Sequence, residues 1–291
     1  MRSVTRELLE LLRLERIEVD LFRGQSQDLG WGAVFGGQVV GQALSAAAQT
    51  VPADRPVHSL HAYFLRPGDA KHPIVYRVTR DRDGKSFTTR SVVAVQHGQP
   101  ILTLSASFQV EEPGFEHHNP PPAVPGPDGL LSEQELLLRL ADRIPAPLRQ
   151  QALSERPIEI RPVNPHNMLR PDRRPATRHV WYRAADTLPD DPALHRYLLA
   201  YASDFHFLPT AMQPHGVSWL TPGMQVASLD HAMWFHRAPR MDEWLLYVIE
   251  SPAASGGRGL VRGQFYDVAG NLVASTAQEG LMRQREPRET P

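Results

Sequence analysis

The sequence predicts an α+β protein made of two similar units, each a helix followed by an antiparallel sheet. Three observations carry that prediction. Residues 262–281 read as two strands joined by the turn Val268-Ala269-Gly270-Asn271, where Gly270 supplies the positive φ of a tight hairpin. Residues 90–109 repeat the plan, with a turn at Gly98-Gln99. In each half a helical stretch precedes the strands.

Sliding one hairpin onto the other sets Arg90 on Arg262 and Gly98 on Gly270. Leu102, Leu104, Ala106 and Phe108 then fall on Ala274, Thr276, Gln278 and Gly280. Alternate residues of a strand share a face. That face is apolar in the first copy and is expected to be buried. The second copy places Thr276 and Gln278 there. A buried polar side chain costs free energy unless it is hydrogen-bonded. Gln278 therefore needs a partner, supplied by a structural network or by a site. The chain reads as a duplication whose second copy carries the chemistry.

Composition narrows the class. With 291 residues the chain holds one large domain or two of ordinary size. A hydrophobic fraction of 41% supplies a core, and a net charge of −1 leaves no global basic excess for nucleic acid or a membrane surface. There is no cysteine, which excludes disulfides, thiolate metal sites and a Cys nucleophile. Residues 1–20 are amphipathic and broken by Glu7, Glu10, Arg13, Glu15 and Arg16. They lack the apolar core of a signal peptide. No apolar run reaches the ~18 residues of a transmembrane helix. The expected location is cytoplasmic.

In chain order, residues 5–17 form a short helix with a leucine face, and residues 19–24 a strand. The glycine-rich stretch from Gly30 through Trp31 to Gly37 leads into a helix at about 38–51, with a stripe at Val40, Ala43, Leu44, Ala47 and Val51. Its spacing fits neither a dinucleotide fingerprint nor a P-loop. We read it as a tight turn with close helix–sheet packing. Strands follow at 58–65, 74–82, 87–96 and 100–111. The proline-rich run at 118–125 marks a linker, and Ser132 with Glu135 is a capping-box pattern opening a short helix. Residues 144–177 read as irregular. The second unit has a strand at 178–184, a helix at about 192–208, and strands at 226–236, 244–251, 259–268 and 272–282. The expected division is 1–115, a connecting segment 116–176, and 177–291.

Several residues are candidates for chemistry. Asp204 lies at the edge of the helical stripe Leu194, Leu198, Tyr201, Phe205 and Leu208. Partial burial there raises a carboxylate toward the range of a useful base; alternatively the side chain turns to solvent or caps locally. On the strand Ser228-Leu229-Asp230-His231, Ser228 and Asp230 share one face, Leu229 and His231 the other. His231 reads either as a general base or as a hydrogen-bonded core residue, the commoner case. No Gly-x-Ser-x-Gly elbow is present, which disfavours a Ser-His-Asp hydrolase. His117, His118 and His206 lack metal-site spacing, so no metal site is expected.

Longer motifs then narrow the reading. Phe35-Gly36-Gly37-Gln38, the run His58 to Gly68 (HSLHAYFLRPG), Ser203-Asp204-Phe205, the run Ser228 to Arg237 (SLDHAMWFHR) and Gln278-Glu279-Gly280-Leu281 resemble the acyl-CoA thioesterase II family. The resemblance runs through nearly the whole chain in order. It implies a double hotdog: two antiparallel sheets, each wrapped around a long central helix. It implies hydrolysis of acyl-CoA to fatty acid and CoA without metal or covalent cofactor. It also implies a catalytic set of Asp204, Ser228 and Gln278, and a homo-oligomer, dimer or tetramer. Ser228 departs from the family's usual Thr; it keeps the hydroxyl and loses the methyl that stiffens the rotamer.

Tyr197, Tyr201, Met233 and Trp234 read as tunnel lining or as ordinary core, and the cluster Arg170, Arg173, Arg174 and Arg178 as a phosphate site or a solvated linker. Two other functions compete. A hotdog enoyl-CoA hydratase or dehydratase would use Asp230 with His231. A non-catalytic acyl-CoA binder would bind without turnover.

Overall fold

The structure, a computed structural model, describes residues 1–30, 32–144, 149 and 153–285. Trp31 of the glycine-rich stretch and part of the segment read as irregular lie outside them.

The first half contains α1 (Ser3–Leu12), β1 (Glu15–Glu18), β2 (Leu21–Gly24), α2 (Gly36–Ala48), β3 (Val57–Phe64), β4 (Ile74–Asp83), β5 (Phe87–Gln96) and β6 (Gln99–Gln109). A connecting stretch holds α3 (Glu133–Arg139) and β7 (Ile158–Pro162). The second half contains β8 (Thr177–Ala184), α4 (Pro192–Ala202), α5 (Phe207–Met212), β9 (Met224–Ser228), β10 (Asp230–Phe235), β11 (Leu245–Ser255), β12 (Arg258–Tyr266) and β13 (Leu272–Gln284).

Among the described residues, thirteen strands form one sheet in the order β1-β2-β4-β5-β6-β3-β10-β13-β12-β11-β8-β7, with β9 beside β13. The pairings are antiparallel. The two halves join where β3 meets β10, with Leu60 opposite Met233. Helix α2 packs on β3–β6 of the first half, α5 packs on β11–β13 of the second, and α4 lies against α2. No described helix is long and apolar enough to cross a membrane.

Local chemistry explains most of these elements. Leu8, Leu11 and Leu12 form the buried face of α1. Ser132 and Glu135 make the full capping box at α3. Asp191 caps α4 by accepting from the Ala193 amide, and Pro192 occupies its first turn. The expected buried face of β6 is buried at Leu102, Leu104, Ala106 and Phe108, and that of β13 at Ala274, Thr276 and Gln278.

One expectation is extended and three are corrected. The glycine-rich stretch serves helix–helix as well as helix–sheet packing: a Cβ at Gly37 would lie 2.2 Å from the Tyr201 carbonyl oxygen, and one at Gly36 3.0 Å from the Phe64 ring. The helix expected at 192–208 is broken between Ala202 and Phe207, and His206 adopts φ 65°. Pro209 is the physical reason. Its ring would clash with the Phe205 carbonyl in a continuous helix, but it is tolerated in the first turn of a new one. Residues 158–162, read as irregular, form β7 against β8. The repeat is also offset by one residue: Ala106 stands opposite Arg90, while Gln278 stands opposite Val261. Arg90 is buried on Thr50 and Asp83, whereas Arg262 is exposed and pairs with Glu250.

Candidate active site

The break between α4 and α5 places Asp204 beside the start of α2. A Cβ on Gly36 would sit 2.7 Å from Asp204 Oδ2, so glycine there is a condition of the approach. The Gly37 amide and the side chains of Gln278 and Ser228 are hydrogen-bonding groups that favour the charged form of the Asp204 carboxylate. The Ser228 hydroxyl contact to Oδ1 is long, 3.5 Å. Burial raises the Asp204 pKa above its ordinary value, and the neighbouring His231 and these hydrogen bonds only partly offset it. A carboxylate that is harder to ionise is a better proton acceptor once ionised.

A β-bulge brings the other groups to Asp204. Ser228 stands opposite Gly280, and Ala232 opposite Ala277. Leu229, Asp230 and His231 therefore face only Gln278 and Glu279. The extra residue cancels the alternation, and Ser228 and His231 both reach Gln278. This corrects the expected placement of Ser228 and His231 on opposite faces. Two bonds pin the bulge: Leu229 N–H to the Glu279 carbonyl at 3.0 Å, and Glu279 N–H to Asp230 Oδ1 at 2.6 Å.

Gln278 is buried, 1% exposed, and its partners answer the question the sequence raised. Its Nε2 donates to Ser228 Oγ at 2.7 Å, and its Oε1 lies 2.7 Å from His231 Nδ1. His231 is fully buried, and its Nε2 lies 2.8 Å from Ser203 Oγ. The other polar residue of that face, Thr276, is satisfied by Tyr247, which also donates to the Ser203 carbonyl. Asp204, Ser228 and Gln278 are thus brought together, with His231 behind Gln278. Asp230 is engaged by the backbone and makes no pair with His231.

The sequence reading missed the support under the break. His206 accepts or donates at both ring nitrogens, to Tyr182 and, at 2.7 Å, to Glu133 of α3. The connecting segment thereby holds the turn that carries Asp204. No local pattern announces this, because Glu133 and His206 are far apart in the chain.

Other candidates fall elsewhere. Tyr201 packs edge-on against Phe35 and Phe205, Met233 is buried core, and Trp234 lies on the outer face against His61. Arg178 is held by Gln213 and Arg174 by Asp172, while Arg170 and Arg173 are exposed. Among the described residues, Asp69, His72 and His97 lie close enough together that they could hold a metal ion, with both histidines hydrogen-bonded to Asp69. A cavity of about 560 Å³, lined by Gln49, Arg55 and Arg90 among others, opens beyond the far end of α2 from Asp204.

The profile of the family described as acyl-CoA thioesterase matches residues 147–281, and that of the acyl-CoA thioesterase N-terminal domain matches residues 26–109. The chain is 46% identical to acyl-CoA thioesterase 2 of Haemophilus influenzae over 97% of its own length and 99% of the relative's. It is similar in structure to acyl-CoA thioesterase II TesB2 of Mycobacterium marinum, with a TM-score of 0.78 and 42% identity over 96% of this chain and 99% of that one. It shares its fold with a conserved hot dog protein of Alicyclobacillus acidocaldarius, with a TM-score of 0.74 and 20% identity over 96% and 99% of the two chains.

Proposed function

The chain belongs to the acyl-CoA thioesterase family, and on that premise we propose that it hydrolyses acyl-CoA through a water activated by Asp204 and oriented by Ser228 and Gln278. The observation that carries this reading is a chain of contacts, from the Gln278 amide to the Ser228 hydroxyl to the Asp204 carboxylate, whose pKa is raised by burial.

Water bound among the three groups loses a proton to Asp204 as its oxygen attacks the thioester carbonyl carbon. The tetrahedral intermediate collapses by breaking the carbon–sulfur bond. The proton on Asp204 returns to the departing thiolate, leaving free acid and CoA. Positioning of this kind lowers a barrier by up to about 7–11 kcal/mol, and a placed base adds about 100- to 10,000-fold. The mechanism uses no metal or cofactor.

The same proposal extends to the architecture. The two halves of the sheet form a double hotdog, with α2 in one and the broken α4–α5 pair in the other. Residues 1–115 and 177–291 are the two units and 116–176 the connection. The outer face around Tyr63 and Trp234, both exposed, supports a homo-oligomer, dimer or tetramer. The hydratase reading loses its acid–base pair, because Asp230 accepts from Glu279 N–H and His231 faces Gln278.

Equal release of free CoA and free acid from an acyl-CoA tests the reaction. Consumption of an enoyl-CoA by water addition, with the thioester intact, would contradict it.

A further inference from the structure

The proton count around Gln278 leads one step further, and it rests on the reading of Asp204, Ser228 and Gln278 as the reacting set. Gln278 Nε2 donates to Ser228 Oγ at 2.7 Å, and the Ser228 hydroxyl gives its one hydrogen to Asp204 Oδ1 at 3.5 Å. Turning the amide over would set its carbonyl oxygen against a hydroxyl whose hydrogen is already given to Asp204, acceptor against acceptor. The amide is therefore held with NH2 toward Ser228, and Oε1 toward His231 Nδ1 at 2.7 Å. A carbonyl oxygen only accepts, so Nδ1 must carry a proton.

We propose that His231 is a positioning residue: its Nδ1–H donates to Gln278 Oε1 and fixes the amide that orients Ser228 and the water. The far side of the ring is built for this. Ser203 Oγ lies 2.8 Å from His231 Nε2 and 2.9 Å from the Ala200 carbonyl. With a neutral ring the Ser203 hydroxyl donates to Nε2. With a charged ring Nε2–H donates to Ser203, and the hydroxyl turns to Ala200. Both states keep Nδ1–H. The excluded state is the other neutral tautomer, which would leave Nδ1 bare against Oε1. Phe207, at a ring-centroid distance of 5.7 Å, and the burial of His231 keep water from substituting as the donor.

Two substitutions separate positioning from packing. In His231→Asn the amide nitrogen takes the place of Nδ1; in His231→Gln it takes the place of Nε2. His231→Asn is expected to keep kcat within about 10-fold of wild type, and His231→Gln to lose about 100-fold, with KM little changed in both. Asparagine leaves the larger void, so the more active variant is expected to be the less stable. Equal losses in the two folded variants, or wild-type kcat in His231→Gln, would overturn the proposal. The ring can also be read in the wild-type protein, without activity. In 15N-histidine-labelled protein the His231 signals, assigned by their change in Ser203→Ala, should show a protonated Nδ1. A bare Nδ1 would overturn the proposal even if both variants failed to fold. If wild type released no CoA, the thioesterase reading would fail while the nitrogen signal still decided the role of His231.

Discussion

Ser228 and His231, three residues apart on one strand path, meet the same amide: each lies 2.7 Å from an end of the Gln278 side chain. A regular strand would turn them to opposite faces. The bulge at 229–231 removes that constraint and makes the site possible. It also relates the hydroxyl on β9 to a buried imidazole through one rigid amide rather than through a mobile chain.

The hydroxyl of Ser228 is the part of that residue the mechanism uses. Ser228→Ala is expected to lower kcat by about 10- to 100-fold, the usual cost of one lost hydrogen bond that leaves a buried partner unsatisfied. Ser228→Thr keeps the oxygen and stiffens χ1, so it is expected to retain activity. Steady-state kinetics of both variants check this; equal activity of Ser228→Ala and wild type would remove the hydroxyl from the mechanism.

Asp204 must be ionised to accept a proton. Because burial raises its pKa, the acid limb of kcat/KM should have its midpoint above the ordinary aspartate value of 3.8. The limb should vanish from the residual activity of Asp204→Asn. A pH–rate profile that stays flat down to that value would contradict the assignment.

The same shift has a stability consequence of definite sign. Between 3.8 and the raised folded-state value, the native protein holds a proton that the unfolded chain has lost. Stability therefore falls as pH rises through that window, and wild type carries the cost of a buried charge above it. Asp204→Asn, which removes the charge, should be at least as stable as wild type at neutral pH. Denaturant midpoints of the two proteins at matched pH measure it.

The approach of α2 to α4 depends on Gly37. With a Cβ only 2.2 Å from the Tyr201 backbone oxygen, Gly37→Ala is expected to cost about 1–3 kcal/mol through overpacking and to displace the amide that meets Asp204. Gly114→Ala, where nothing lies within 4 Å, serves as the control and should be close to neutral. Thermal or chemical unfolding of the pair distinguishes them.

What was legible in the sequence was local. The alternation of β13, compared with its apolar counterpart on β6, placed Gln278 on the buried face and required it to have a partner. The capping box at Ser132 needed only four residues. The edge of a helical stripe made Asp204 a candidate, and the resemblance of longer motifs supplied its role and Ser228. What was not legible depended on a partner far along the chain. The stripe through Tyr201, Phe205 and Leu208 continues past the helix break, and only Pro209 signals the interruption. The bulge exists only relative to β13, so the strand containing Ser228 and His231 gave the wrong faces when read alone. Glu133 under His206 shows no local pattern at all.

The most direct measurement is thiol release from a panel of acyl-CoAs, short to long, by wild type and Asp204→Asn side by side. The chain contains no cysteine, so a thiol reagent reports CoA alone. Release by wild type, with a loss of about 100-fold or more in a folded Asp204→Asn, is the predicted result. Undiminished release by the variant would contradict the role of Asp204, and no release by wild type from any thioester would contradict the reaction itself.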